Sequence, residues 1–252
     1  MLSSQQQHHF RAFGFLFLEN AFASEIDSIT AVVERDWAAD PQQLANDERR
    51  TTAIVERNPE LNGLPVEDRL YPAIEQLLGA DPLWAGSEGN LSSKTAVKWH
   101  PDRKYYLDGE RHWMDFDQLK VMMYLDPVAR DSGCLRVIPG SHRDSLHHDL
   151  AEQELHPETL PFGLEPSDIP CVALESQPGD VILFDHRSWH GAFGGGPRRR
   201  YLAMKFTQQP TAPHHIESLR KYSTGVFSPD EAFVNHEDPR IRAMVRIPEV
   251  QA

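Results

Sequence analysis

At 252 residues the chain is long enough for one large domain, and 40% hydrophobic with 25% charged residues is the composition of a globular protein, neither collagen-like nor disordered. A formal charge of −13, from 25 Lys and Arg against 38 Asp and Glu, opposes a phosphate backbone and weighs against nucleic acid as a partner. No stretch approaches the roughly 20 apolar residues of a membrane-spanning helix, and the N-terminus lacks the basic segment, apolar run and cleavage site of a leader, so the sequence reads as cytoplasmic and without a membrane partner. Cys134 and Cys171 are too few for a disulfide framework and are not in CxxC spacing. Any metal falls to His and carboxylate, and 13 His is a high count.

In chain order, a short polar lead precedes a strand-like run from Phe13 to Leu18. Ser24 then reads as the N-cap of a helix on which Ile26, Ile29, Val33 and Trp37 recur at helical spacing. A second helix is predicted after Leu64, with Pro65 at its first position, Val66, Leu70, Ile74, Leu77 and Leu78 inward, and an end near Gly79. Residues 1–90 therefore read as mostly helical support. From about Leu91 the chain turns to short apolar runs between Gly, Pro, Asp and Asn. Strands are predicted at Gln118 to Leu125, Cys134 to Ile138, Val172 to Leu174, Val181 to Phe184 and Arg200 to Phe206. Without helical periodicity between them, they argue for an antiparallel sandwich or barrel over residues 91–210 of a single 1–252 domain. His147 to Ser167 reads as a lid-like insertion or surface loop, and 211–252 as a C-terminal extension.

Trp99-His100-Pro101-Asp102 ends one strand-like run, and residues i and i+2 on extended backbone share a face, so one segment offers an imidazole and a carboxylate to one metal. Some ninety residues on, Pro178-Gly179-Asp180 turns into an apolar strand followed by Ser188-Trp189-His190-Gly191. His100, Asp102 and His190 would complete a two-His, one-carboxylate face with open positions opposite, the arrangement that suits non-haem Fe(II) with a co-substrate and O₂. Arg198-Arg199-Arg200 opens the next strand. With Lys205 toward solvent, period two puts Arg200, Leu202 and Met204 inside, where a guanidinium needs an anion, and the distal carboxylate of 2-oxoglutarate matches its fork. His112 with Asp115 is a rival metal pair, but HxxD spacing divides them between two strand faces. His186 and His190 would share a face only on a helix. His142 and Arg136 read as structural, His147 and His148 as loop residues. The Arg103 to Asp117 segment leaves the metal strand directly, so Tyr105, Tyr106, His112 and Trp113 are candidate substrate contacts.

The run from Leu119 to Pro127, the run Asp131-Ser132-Gly133-Cys134-Leu135-Arg136-Val137-Ile138-Pro139-Gly140-Ser141-His142, the turn Pro178-Gly179-Asp180 and His190 together resemble the phytanoyl-CoA dioxygenase family of Fe(II)/2-oxoglutarate oxygenases, over roughly residues 90 to 210. The resemblance implies a mainly β fold with flanking helices around a double-stranded β-helix (jelly-roll, cupin-like) core. It implies His100, Asp102 and His190 as metal ligands and Arg200 as the 2-oxoglutarate clamp, with Arg199 in its place if the register slips by one. The chain departs from the family at Met122, where some members carry Trp, and at Ala192, where some carry Ser. If Met122 faces inward, so does Lys120, a second candidate for an anionic oxygen of the co-substrate. Halogenases of this fold replace the carboxylate by a small residue, and Asp102 argues against that chemistry. The function expected is hydroxylation of an unactivated C–H bond in a small molecule, with Fe(II), 2-oxoglutarate and O₂ consumed to succinate and CO₂. The rivals are a peptide oxygenase of the same fold and a non-catalytic jelly-roll binding module.

Overall fold

The computed structural model describes residues 1–39, 48–102, 104–107, 110–113, 116–154, 161–196, 198–222 and 225–247; for 104–107, 110–113, 154, 161 and 221–222 it describes the backbone alone. The polar lead is a helix, α1 (Ser4–Phe13), because Ser3 and Gln6 form a reciprocal capping box that satisfies orphan N–H groups at its start. Strand β1 (Phe15–Leu18) follows, then α2 (Ile26–Ala39), whose buried stripe is Ile26, Ile29, Val32, Val33 and Trp37. Ser24 is not seen capping it; its hydroxyl donates to the Glu25 carboxylate. Strand β2 (Arg49–Thr52) and the single turn α3 (Ile54–Arg57) come next. The predicted second helix is divided into a 3-10 turn, Leu64–Val66, and α4 (Tyr71–Leu78).

The remaining strands are β3 (Leu83–Ser92), β4 (Ala96–His100), β5 (Lys104–Leu107), β6 (Glu110–Trp113), β7 (Gln118–Tyr124) and β8 (Leu135–Val137). Helix α5 (Asp144–Glu154) occupies part of the stretch expected to be loop, and His147 is buried on it; residues 155–160 of that stretch lie outside the described residues. Then come β9 (Val172–Leu174), β10 (Val181–Asp185), β11 (His190–Phe193), β12 (Arg199–Thr207) and the helices α6 (Pro213–Tyr222), α7 (Glu231–Val234) and α8 (Pro239–Met244).

Two sheets face each other. The larger has the order β1-β10-β7-β12-β3-β2 and the smaller β4-β11-β8-β9, with every paired strand antiparallel. This is the jelly-roll core. The larger sheet takes strands from the N-terminal region too, since β1 and β2 form its edges and β3 begins at Leu83.

Alternation along the strands divides the apolar residues between two cores. Leu119, Val121 and Met123 of β7, Val181 and Leu183 of β10, and Leu202 and Met204 of β12 pack under α2, α3 and α4. Met122 and Tyr124, Ile182 and Phe184, and Phe15 point the other way and meet Leu135, Val137 and Leu174 of the smaller sheet. Burying each such aliphatic side chain contributes on the order of 1.5–3 kcal/mol. Both faces of the central strands are covered, and all seven residues of β7 are buried. The smaller core between the sheets is also where the polar residues of the site collect.

Candidate metal centre and its cavity

β4 ends at His100, and Pro101 and Asp102 turn away from it. The turn is fixed by the Asp102 N–H, which donates to the His186 carbonyl at 2.9 Å, tying the end of β4 to the β10–β11 connection. In the same sheet His190, first residue of β11, lies opposite His100. The register then shifts between His190 and Ala192, a bulge that aims the histidine; such bulges re-aim side chains at sheet rims. Gly191 at this bulge allows the close approach of β4, since a Cβ there would meet the Val97 carbonyl at 2.9 Å.

The ligand atoms of His100, Asp102 and His190 all lie within 4.8 Å of one another. His100 Nε2 is 3.7 Å from Asp102 Oδ1, His190 Nε2 is 3.7 Å from Asp102 Oδ2, and the ring centroids are 4.3 Å apart. Each ring is oriented through its other nitrogen. A carbonyl oxygen only accepts, so His100 Nδ1–H donates to Lys98 O at 2.7 Å and His190 Nδ1–H to Ser188 O at 2.9 Å. That tautomer leaves each Nε2 lone pair facing the carboxylate, as a metal ligand requires. Burial, with His100 beside it, pushes His190 down to about 3, so its imidazole is neutral at physiological pH. Burial alone would raise the Asp102 carboxyl, but Lys120 and the surrounding histidines outweigh it and hold Asp102 well below the usual carboxylate range. Two imidazoles and one carboxylate, pre-aimed and within reach of one ion, fit a divalent metal of the Fe(II) type. The rival His112 and Asp115 fall outside this comparison, since the His112 side chain and all of Asp115 lie outside the described residues.

The inner face of the larger sheet adds charges. Lys120 Nζ lies 3.3 Å from Asp102 Oδ2 and 3.0 Å from Glu88 Oε1, and Lys205 Nζ lies 3.1 Å from Glu88 Oε2. Glu88 is buried, yet Lys120 and Lys205 overcome the cost of that burial and hold its carboxyl well below the ordinary range. A cavity of about 550 Å³ opens here, lined by His100, Asp102, Lys120, Glu88, Lys205 and Arg50 at the triad end. Glu88 is not legible in the sequence because a lone Glu between Gly86 and Gly89 carries no motif; only the pairing of β3 with β12 brings it beside Lys205.

The arginine assignment changes. Lys205 points between the sheets to Glu88, not to solvent, so the parity of β12 is the reverse of that expected. Leu202 and Met204 pack beneath the helices, and Arg200 emerges on that same face, ion-paired with Asp126 and with Glu34 of α2. Arg200 therefore does not point toward the triad. Arg199, on the parity of Tyr201 and Lys205, is buried; its Nη1 donates to Gly133 O at 2.6 Å while its Nε has no hydrogen-bond partner among the described residues. Arg198 is exposed. Lys120 and Met122 both face between the sheets.

The segment expected to overhang the metal begins as the β5–β6 hairpin, in which Tyr105 pairs with His112 and Tyr106 with Arg111. The side chains of Tyr105, Tyr106, His112 and Trp113 lie outside the described residues. His142 and Arg136 are structural: the His142 ring Nε2 bonds the Arg11 carbonyl at 3.1 Å, and Arg136 donates to Ser167 O and Arg130 O.

The sequence profile of the phytanoyl-CoA dioxygenase (PhyH) family matches residues 10–200. Peroxisomal phytanoyl-CoA dioxygenase of Rattus norvegicus is 22% identical over 265 residues, 90% of this chain and 78% of that protein. Ectoine dioxygenase of Sphingopyxis alaskensis is 26% identical over 220 residues, 77% of this chain and 71% of that protein. Among solved structures, HygX from Streptomyces hygroscopicus with nickel and 2-oxoglutarate bound superposes with a TM-score of 0.67 at 18% identity, covering 82% of this chain and 87% of that one. The apo form of EctD from S. alaskensis gives a TM-score of 0.62 at 25% identity, over 82% and 77%.

Proposed function

The chain belongs to the phytanoyl-CoA dioxygenase family of Fe(II)/2-oxoglutarate-dependent oxygenases, and from that premise we propose that it hydroxylates an unactivated C–H bond of a small molecule, releasing succinate and CO₂. The observation that carries the reading is the convergence of His100, Asp102 and His190, with both Nε2 atoms turned to one carboxylate and both Nδ1 protons occupied elsewhere. Bound there, Fe(II) supplies the O₂ and electron-transfer chemistry that side chains lack.

The protein's own residues do the rest. Lys120 holds one oxygen of Asp102, which favours its ionised, ligating form. Arg199 takes the role first expected of Arg200: a buried guanidinium with an unused Nε is suited to the distal carboxylate of 2-oxoglutarate, and Met122, Tyr124, Phe184 and Tyr201 make the apolar wall between the sheets. The β5–β6 hairpin follows the metal strand, and Tyr105, Tyr106, His112 and Trp113 are assigned to substrate contact and substrate choice. Two unpaired cysteines fit a reducing, cytoplasmic setting.

The test is succinate release with Fe(II), ascorbate and 2-oxoglutarate across a panel of small molecules. Turnover stimulated by one compound, with a product heavier by one oxygen, is the expected result. Stimulation by peptides alone would shift the reading to a peptide oxygenase of the same fold. No uptake of Fe(II) or 2-oxoglutarate would leave a jelly-roll binding module.

A further inference from the structure

The charges in the cavity beside the triad are unequal. Glu88 is approached by three cations, Lys120 at 3.0 Å, Lys205 at 3.1 Å and Arg50 at 3.3 Å. One carboxylate balances one of them. Lys120 also serves Asp102, but in the reading above Asp102 spends its charge on the metal. Lys205 is the more telling residue. Among the described residues its single hydrogen bond goes to Glu88, although an ammonium has three donors, and its side chain is only 22% exposed. Burial first, and then the neighbouring Lys120, pull the Lys205 ammonium below its ordinary pKa by more than Glu88 and Asp102 restore.

Among the described residues, the other carboxylates that line the cavity are engaged away from this end. Glu56 accepts from Trp84 Nε1 and from the Ser87 hydroxyl. Ser87 and Glu88 are consecutive on β3 and point to opposite faces, so Glu56 stands across the sheet from the cations. Asp230 caps α7, accepting from Ala232 N at 2.9 Å. Among the described residues the positive surplus therefore sits beside the metal ligands, in a cavity of about 550 Å³, the size of a small-molecule site.

We propose that Lys205 and Arg50, with Lys120 and Glu88 holding them in place, form a subsite for one anionic group, a carboxylate or phosphate, on the substrate. The inference rests on the oxygenase reading and narrows it to acidic small molecules. Glu88 would serve both to hold Lys120 and Lys205, which are largely buried, in the absence of substrate and to set how strongly an anion is held, while Arg50, 64% exposed, reaches in from the rim.

The test uses inorganic sulfate as probe, titrated calorimetrically into the full-length protein loaded with Ni(II) and 2-oxoglutarate. The expected result is saturable binding of one sulfate, weakened about tenfold or more by Lys205→Met, retained in Lys205→Arg and tightened in Glu88→Gln. Opposite signs for two neighbouring substitutions separate a lost subsite from a damaged fold, and Ni(II) and 2-oxoglutarate uptake by each variant checks folding. Absence of saturable binding, equal binding in Lys205→Met, or displacement of 2-oxoglutarate by sulfate overturns the subsite. If the unaltered protein takes up neither Ni(II) nor 2-oxoglutarate, the oxygenase reading fails instead, and the same titration on the metal-free protein still decides the subsite.

Discussion

Lys120 Nζ stands 3.3 Å from Asp102 Oδ2, so the carboxylate of the triad has a cation of the protein's own as partner. Lys120 arrives from β7 of the larger sheet and Asp102 from the end of β4 in the smaller one, so this contact also spans the two layers of the sandwich. Lys120→Met is expected to weaken Fe(II) or Co(II) binding about 10- to 100-fold, the range for partners that orient a ligand. Glu88 keeps Lys205 and Arg50, so the fold survives. Metal titration of the purified variant is the measurement, and unchanged affinity would remove Lys120 from any role in orienting the ligand.

Asp102→Ala is expected to abolish stoichiometric metal binding and hydroxylation together, because two imidazoles alone hold a divalent ion weakly. Hydroxylation at normal metal occupancy in this variant would refute the ligand assignment.

Adjacent arginines should separate cleanly. Arg199→Ala is expected to raise the 2-oxoglutarate requirement by an amount on the order of 2–5 kcal/mol, the cost of truncating one partner of a buried charge pair. Arg200→Ala should leave co-substrate binding intact and cost stability instead, about 1 kcal/mol, since its partner Glu34 is 52% exposed and that pair is screened by solvent. Co-substrate titration and thermal unfolding of both variants read out the pair; loss of co-substrate in Arg200→Ala alone would reverse the assignment.

The metal-free protein should lose stability as pH falls from about 6.5 toward 4. His190 and His186 are pushed by burial to about 3 and about 4, so below their ordinary range the unfolded chain takes up protons that the folded chain refuses. Each contributes up to about 1.4 kcal/mol per pH unit in that window. Glu88 and Asp102, held ionised in the fold, add losses of the same sign at lower pH. Urea midpoints of metal-free protein between pH 7 and 5 measure this, and a flat profile would contradict the burial of neutral imidazoles.

Gly14, with φ +81°, closes α1 just before β1, and a Cβ there would lie 2.6 Å from both His142 Nδ1 and Ser188 Oγ. Gly14→Ala is expected to cost about 1–3 kcal/mol from its left-handed backbone alone. Because Ser188 O orients His190, the variant should also bind metal more weakly. Denaturant unfolding and metal titration test both effects, and a neutral outcome in both would show that this junction yields.

Short range in sequence governed what could be read without a structure. The runs that became β7, β8, β9 and β10 are short and predominantly apolar, and the HxD pair and distal His carry a recognisable spacing because metal chemistry demands donors of fixed type. β3 was not legible: Gly86, Glu88 and Gly89 break its apolar pattern, and it is a strand because β12 and β2 flank it on both sides. The polar lead became α1 through a cap, not through hydrophobic periodicity. Most instructive is β12. Alternation says that Arg199 and Arg200 face opposite ways, but not which way, because both faces of the strand are buried and neither reads as solvent-exposed. Lys205 looks like a solvent marker and is not one, since Glu88 and Lys120 from two other strands make its burial tolerable. Which face of a doubly covered strand points to the site is decided by partners far away in the chain, and those partners meet only in the tertiary structure.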